Sequence, residues 1–267
     1  MKLTKSPVLK YDEWIDFNEI IHFVSTRHGG VSQGPYASLN IGLGTDDEPG
    51  IVLKNRHILA KAAGIPLEYF VILNQVHGTN VVVATRELKG SGSLDRESAI
   101  HETDAIITDQ PGICLFVMGA DCVPLLFFDP VKKIIGAAHA GWRGTVKNIA
   151  LATVQKMKET FNCDNHDIRV AIGPSIGPCC YHVGGEVIDA ILRSYGSTDK
   201  FISYEYKDSL AHFDLWQTNK TQLTEAGLSP HNIIIANLCT HCNHNDFFSS
   251  RYDKSITGRF GAGIMIR

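Results

Sequence analysis

The chain has 267 residues, 44% of them hydrophobic and 20% charged, with a formal net charge of -3. That is enough apolar material for a substantial core. Lys and Arg are scattered, with no run longer than two, which excludes the clustered basic face of a nucleic-acid binder. The most apolar run, residues 113–128, is broken by Asp121 and Pro124 and is too short to cross a bilayer, so no membrane partner is expected.

The early lysines are not followed by an apolar stretch, so no signal peptide is expected and the protein is read as cytoplasmic. Residues 20–26 read as a strand that ends in the turn Arg27-His28-Gly29-Gly30. Residues 49–63 have helical spacing, with Gly64 as the C-cap. A strand at 70–73 delivers the segment 74–78, and 81–83 is another strand. Residues 89–102, polar and rich in Gly and Ser, read as a mobile loop. Strands follow at 105–108, 113–118 and 125–128, then an Asp129-Pro130 turn and a strand at 134–139. Residues 145–161 read as one amphipathic helix, with Val146, Ile149, Ala150, Thr153, Met157 and Phe161 on a shared face. A strand at 169–172 leads into a Gly- and Pro-rich loop, helices follow at 185–195 and 215–226, the second capped by Asp214, and a strand at 232–237 closes the run. Strands and helices interleave without a dividing linker. The expected fold class is α/β (mixed α+β), with layered mixed β-sheets flanked by helices, in a single domain over 1–267.

Three segments offer chemistry. Asn74-Gln75-Val76-His77-Gly78, Ala120-Asp121-Cys122 and His139-Ala140-Gly141-Trp142-Arg143-Gly144 each carry one soft or borderline metal ligand: His77, Cys122 and His139. Two imidazoles and one thiolate suit zinc or copper, and three ligands leave a position open for water or substrate. Taken singly, each of these residues is more often structural, and only a fold can unite them. Asp121 reads as a general base or as a group that orients a ligand; strand alternation points it away from Cys122 and favours the supporting role. The seven cysteines are odd in number, so reduced thiols are expected. The adjacent Cys179-Cys180 pair reads as a structural loop that serves one compact metal centre with difficulty. Cys239 and Cys242 form a lone C-x-x-C, from which a closed four-cysteine site cannot be built by spacing alone.

Taken together, these segments resemble the YfiH, or laccase-domain, family, whose members are also described as purine nucleoside phosphorylase-like. The resemblance also rests on residues 26–32, Gly34-Pro35-Tyr36, Ser38-Leu39-Asn40, Ile172-Gly173-Pro174, Cys179-Cys180-Tyr181, Cys239-Thr240, Ser250-Arg251 and Thr257-Gly258-Arg259. It implies a YfiH-like fold, with the family's zinc ligands falling on His77, Cys122 and His139. It further implies phosphorolysis of purine nucleosides such as adenosine, inosine or methylthioadenosine, with adenosine deamination as a second activity. The partners would be a nucleoside and phosphate. Phosphate needs cations, and Arg27 and Arg143 are the candidates, as catalytic and substrate-binding groups, because guanidinium grips phosphate bidentately. Asn40, Asn74 and Gln75 are candidates to bind the nucleoside. Asn74 and Gln75 could equally tie down their turn, and each arginine could sit in an ordinary ion pair.

Three other readings stay open. Copper competes for the same donors, so a copper-dependent phenol oxidase is one, although the chain has no H-x-H pair, which a multicopper site uses; the run His241-Cys242-Asn243-His244 only mimics a copper motif. A metal-free hydrolase or amidase using Cys122 with His139, with the family's link to peptidoglycan-precursor editing, is another. A binding protein clipped by zinc is the last.

Overall fold

The computed structural model describes residues 1–204 and 210–267. In chain order the strands are β1 (Val8–Leu9), β2 (Ile20–Ser25), β3 (Phe70–Ile72), β4 (Val81–Val83), β5 (Ala105–Thr108), β6 (Cys114–Gly119), β7 (Val123–Asp129), β8 (Ile134–Ala140), β9 (Arg169–Ile172), β10 (His182–Val183), β11 (Ile202–Tyr204), β12 (Ala211–Phe213), β13 (Ile233–Ile235) and β14 (Phe260–Ile266). The helices are α1 (Pro49–Ala63), α2 (Trp142–Val146), α3 (Ile149–Phe161), α4 (Gly185–Tyr195) and α5 (Leu215–Glu225). Among the described residues they form three sheets, ordered β1-β2-β14-β6-β3, β13-β9-β7-β8-β5-β4 and β10-β12-β11.

The two large sheets stack face to face, and the strand pleat explains how. Side chains alternate between faces along a strand. On β7, Leu126 and Phe128 point into the layer shared with Leu115, Val117 and Ile264 of the first sheet. Leu125 and Phe127 point the other way, into a core built with Ile149, Val154 and Met157 of α3. Outside the first sheet, Phe23, Phe70 and Phe116 pack with Leu59 and Ala60 of α1. The layers are therefore helix, sheet, sheet, helices. Both faces of the central strands are covered, which is why they read as continuous apolar runs rather than alternating ones. On β14, any side chain at Gly261 or Gly263 would sit within 2.5 Å of Phe116 or Phe23 ring atoms. The rings lie across bare backbone there.

The fold class agrees with the expectation. Gly64 caps α1 in the left-handed region at φ 70°, and Asp214 caps α5 by accepting from the Gln217 amide. The expected single helix over 145–161 is in fact two. Asn148 at φ 64° breaks it, and the carbonyls freed at the end of α2 are taken up: Gln222 Nε2 donates to Thr145 O at 2.7 Å, and Tyr195 Oη donates to Thr145 O and Val146 O. The expected mobile loop at 89–102 is tied down. Arg56, buried on α1, donates to the carbonyls of Gly92 and Ser93. Among the described residues no helix is long and apolar enough to cross a membrane.

Candidate metal centre

Two crossings between the large sheets build the site. From β3 the chain passes through residues 73–80 to β4, and from β6 it passes through residues 120–122 to β7. The first loop carries His77 and the second carries Cys122. His139 lies within β8, opposite Pro124 of β7, rather than past a strand end. The donor atoms of His77, Cys122 and His139 all lie within 4.8 Å of one another. His77 Nε2 is 3.8 Å from Cys122 Sγ, and the two imidazoles meet edge to face with centres 4.9 Å apart. His139 is buried, Cys122 half-buried and His77 exposed, so the group opens on the His77 side. Gly141 makes room for it: a Cβ there would lie 2.5 Å from His77 Cδ2 and 3.2 Å from Cys122 Sγ.

Asp104 organises this group, and the sequence reading missed it. Its fully buried carboxylate accepts from the amides of Val76, His77 and Gly78 at 3.1, 3.0 and 2.7 Å. His77 adopts φ 60°, which turns three successive N–H groups toward one anion. The same carboxylate accepts from His139 Nδ1 at 2.8 Å. One side chain therefore sets the His77 loop and fixes the His139 tautomer, with the Nε2 lone pair left for a metal. Burial alone would raise the Asp104 carboxyl; the bonds from His139, Gly78 and Val76 outweigh it and hold the group below its usual range. Only its place just before the apolar strand β5 could have flagged Asp104, and such a position is common.

The electrostatics follow. Burial opposes ionisation of Cys122, but His139 and His77 outweigh it and bring the thiol down to about 6. Burial likewise opposes the charged form of His139, but Cys122 and Asp104 outweigh it and raise the imidazole to about 9. Near neutrality the metal-free pair is a thiolate beside an imidazolium. A ready thiolate and two imidazoles are donors that zinc or copper accepts, and three donors leave a tetrahedral position free. The residues present fit such an ion.

The group lies on a cavity of about 410 Å³ also lined by Asn74, Gln75, Met118, Arg56, Arg96 and Arg259. Asn74 lines this cavity and keeps its side chain there. The other candidates are committed elsewhere. Gln75 exchanges two hydrogen bonds with the Met118 backbone, donating at 2.7 Å and accepting at 2.8 Å, so its amide ties the loop to β6. Asn40 is fully buried; it donates to Thr45 and Asp47 and accepts from the amides of Gly42 and Arg259. Asp121 accepts from Thr240 Oγ1 and from the Arg251 amide, each at 2.6 Å, and so anchors the turn instead of serving as a free base. Arg27 donates to the carbonyls of Ala37 and His244 and covers the Phe248 ring. Arg143 stacks on Trp142 and pairs with exposed Glu186 at 2.9 Å. Neither arginine lines the cavity, and the cations that do are Arg56, Arg96 and Arg259. His28, in the turn after β2, pairs with Asp246 at 2.8 Å. His244 stacks flat on Tyr252 with ring centres 3.6 Å apart.

Residues 21–267 match the family described as multi-copper polyphenol oxidoreductase laccase. The chain belongs to this laccase family. Its relatives include purine nucleoside phosphorylase YlmD of Geobacillus stearothermophilus, 39% identical over 90% of this chain and 88% of that protein. Adenosine deaminase RL5, from an unknown prokaryotic organism, is 33% identical over 94% of this chain and 97% of its own length. The crystal structure of Bacillus licheniformis hypothetical protein YfiH superposes with a TM-score of 0.92 at 34% identity, covering 98% of this chain and 97% of that one. The laccase family is thus enzymatic, with relatives named for two reactions on purine nucleosides.

Proposed function

We propose that this protein is a metal-dependent purine nucleoside phosphorylase, with zinc on His77, Cys122 and His139, and that the same cavity deaminates adenosine. One observation carries the reading: three donors of the right chemistry converge on a cavity sized for a nucleoside, beside arginines that can meet phosphate. A zinc ion held there would supply Lewis acidity toward substrate oxygen or nitrogen.

The protein's own residues do the rest. Asp104 keeps the proton on His139 Nδ1, so Nε2 is the nitrogen that would give up its proton when a metal binds. Asn74 offers both a donor and an acceptor to a base edge or a ribose hydroxyl. Arg96 and Arg259 receive phosphate, in place of Arg27 and Arg143. In phosphorolysis a phosphate oxygen bonds to the anomeric carbon as the glycosidic bond breaks, and the purine leaves with the electron pair. Low-dielectric surroundings at Arg259, where burial outweighs the pull of Cys122 and Asp121, strengthen its hold on an anion.

The test combines metal quantitation with chromatography of adenosine and inosine, with and without phosphate. Ribose 1-phosphate forms only with phosphate and with metal present. Ammonia and inosine from adenosine report the second activity. The close Cys122–His139 pair also suits a thiol hydrolase. Full turnover by metal-free protein would favour that reading and overturn the first.

A further inference from the structure

A second cluster of ligand atoms lies outside this site. β9 and β13 are parallel neighbours with Ile172 opposite Ile235, so the loops that follow them leave the sheet side by side. The loops then pair with each other. Ser175 and Cys239 form a bridge, Ser175 N donates to Leu238 O, and Thr240 N donates to Ser175 O. Gly177 permits the close approach, because a Cβ there would lie 2.8 Å from the Trp216 ring and 3.2 Å from Cys239 Cβ. The amides of Cys180 and Tyr181 both donate to Gly177 O, and this tight turn brings both adjacent thiols round toward the second loop. Sequence spacing argued against a shared centre; the turn removes the objection.

The sulfurs of Cys179, Cys180, Cys239 and Cys242 all lie within 4.8 Å of one another. Cys242 Sγ is 3.7 Å from that of Cys179 and 3.5 Å from that of Cys180, and all four cysteines are free thiols. These are not disulfide separations, which are about 2.05 Å. They are close to the edge of a zinc–thiolate tetrahedron, which is about 3.8 Å for a Zn–S bond of about 2.3 Å. The Gly177 amide already donates to Cys239 Sγ at 3.3 Å, as amides do around ligating thiolates. The Arg251 guanidinium reaches the Cys180 and His182 carbonyls, so a positive charge stands beside the cluster.

We propose that Cys179, Cys180, Cys239 and Cys242 form a second metal site, taking one zinc ion in a closed shell of four thiolates. Four S–H bonds break and four Zn–S bonds form, the four protons pass to solvent, and the site carries a net charge of about -2, about half of which the Arg251 guanidinium offsets. With no open position, the site is structural. Its lever on the catalytic site is short. The segment it clips supplies Thr240 and the Arg251 amide, the two groups that hold Asp121 beside Cys122. The inference stands apart from any assignment of the reaction.

The test uses the full-length protein, purified under reducing conditions and freed of loosely bound metal. Metal quantitation should give about two zinc per chain, falling to about one in Cys122→Ser and to about one in Cys242→Ser. The decisive arm needs only Cys122→Ser, which removes the sole thiolate of the first site. Titrated with cobalt(II), it should keep a strong sulfur-to-cobalt charge-transfer band and a tetrahedral visible spectrum. Zinc should then protect Cys179, Cys180, Cys239 and Cys242 from alkylation, read by peptide mass. A Cys122→Ser protein that shows no sulfur–cobalt band, or whose four thiols alkylate equally with and without zinc, overturns the proposal. Should Cys242→Ser fail to fold, the cobalt spectrum and the alkylation pattern still decide.

Discussion

Asp104→Asn is the most informative single change. The replacement keeps the shape but swaps one acceptor oxygen for an NH₂ donor. In the wild type, Oδ1 accepts from the His77 amide and His139 Nδ1, and Oδ2 from the amides of Val76 and Gly78. Whichever way the new amide turns, two of the four donors face N–H instead of oxygen. Each lost charge-assisted bond costs about 1.5–3 kcal/mol, so the metal-free protein should lose roughly 3–6 kcal/mol. That is a large part of an ordinary folding stability of about 5–15 kcal/mol. If the NH₂ faces His139, the imidazole can accept from it only by moving its proton to Nε2, the nitrogen meant for the metal. Zinc affinity should then fall by about 10–100-fold, the usual effect of removing an orienting partner. Urea unfolding of metal-free protein and chelator competition for zinc measure the two effects. A variant with wild-type midpoint and wild-type affinity would refute the assignment of Asp104 as organiser of the site.

Cys122→Ser should remove the metal of this site and nucleoside turnover together, by more than the roughly 10–100-fold loss expected for an orienting partner, as read by metal quantitation and ribose 1-phosphate release. Gly141→Ala places a methyl 2.5 Å from His77 Cδ2; because His77 is exposed and can swing out, zinc affinity should fall while the unfolding midpoint moves little. Arg96→Ala should raise the KM for phosphate roughly tenfold, the worth of one charge-assisted bond of about 1.5 kcal/mol, with stability unchanged. Arg27→Ala should instead lower the unfolding midpoint, because its guanidinium serves the Ala37 and His244 carbonyls. In metal-free protein, alkylation of Cys122 should be half-maximal near the thiol's value of about 6; a midpoint near 9 would sink the ion-pair account. The sign of the linkage is definite for each partner. The lowered Cys122 value stabilises the fold above the ordinary thiol range and is lost as pH falls through about 6. The raised His139 value stabilises it below the ordinary imidazole range and is lost as pH rises through about 9. Between the two the contributions offset, and metal-free stability should be nearly flat.

Local physics wrote much of the architecture into the sequence. Apolar runs at 105–108, 125–128 and 134–139 read as strands, and left-handed Gly64 and the Asp214 cap ended and began helices where side-chain chemistry demands it. The residue types at His77, Cys122 and His139 pointed to a metal ligand set from the sequence, and the fold brings their donor atoms within 4.8 Å of one another. Tertiary structure decided the partners. Asn40, Gln75, Asp121 and Arg27 looked available because a sequence does not say where a polar side chain spends its hydrogen bonds, and in the fold they spend them inside the protein, mostly on backbone groups. Asp104 was invisible for the same reason: its four donors come from a loop 26 to 28 residues earlier and from a strand 35 residues later. The four-sulfur cluster depends on two parallel neighbours, the edge strand β13 and β9 beside it. Hydrogen-bond pairing and ligand convergence are set by distances across the fold, and those distances exist only once the two large sheets have stacked.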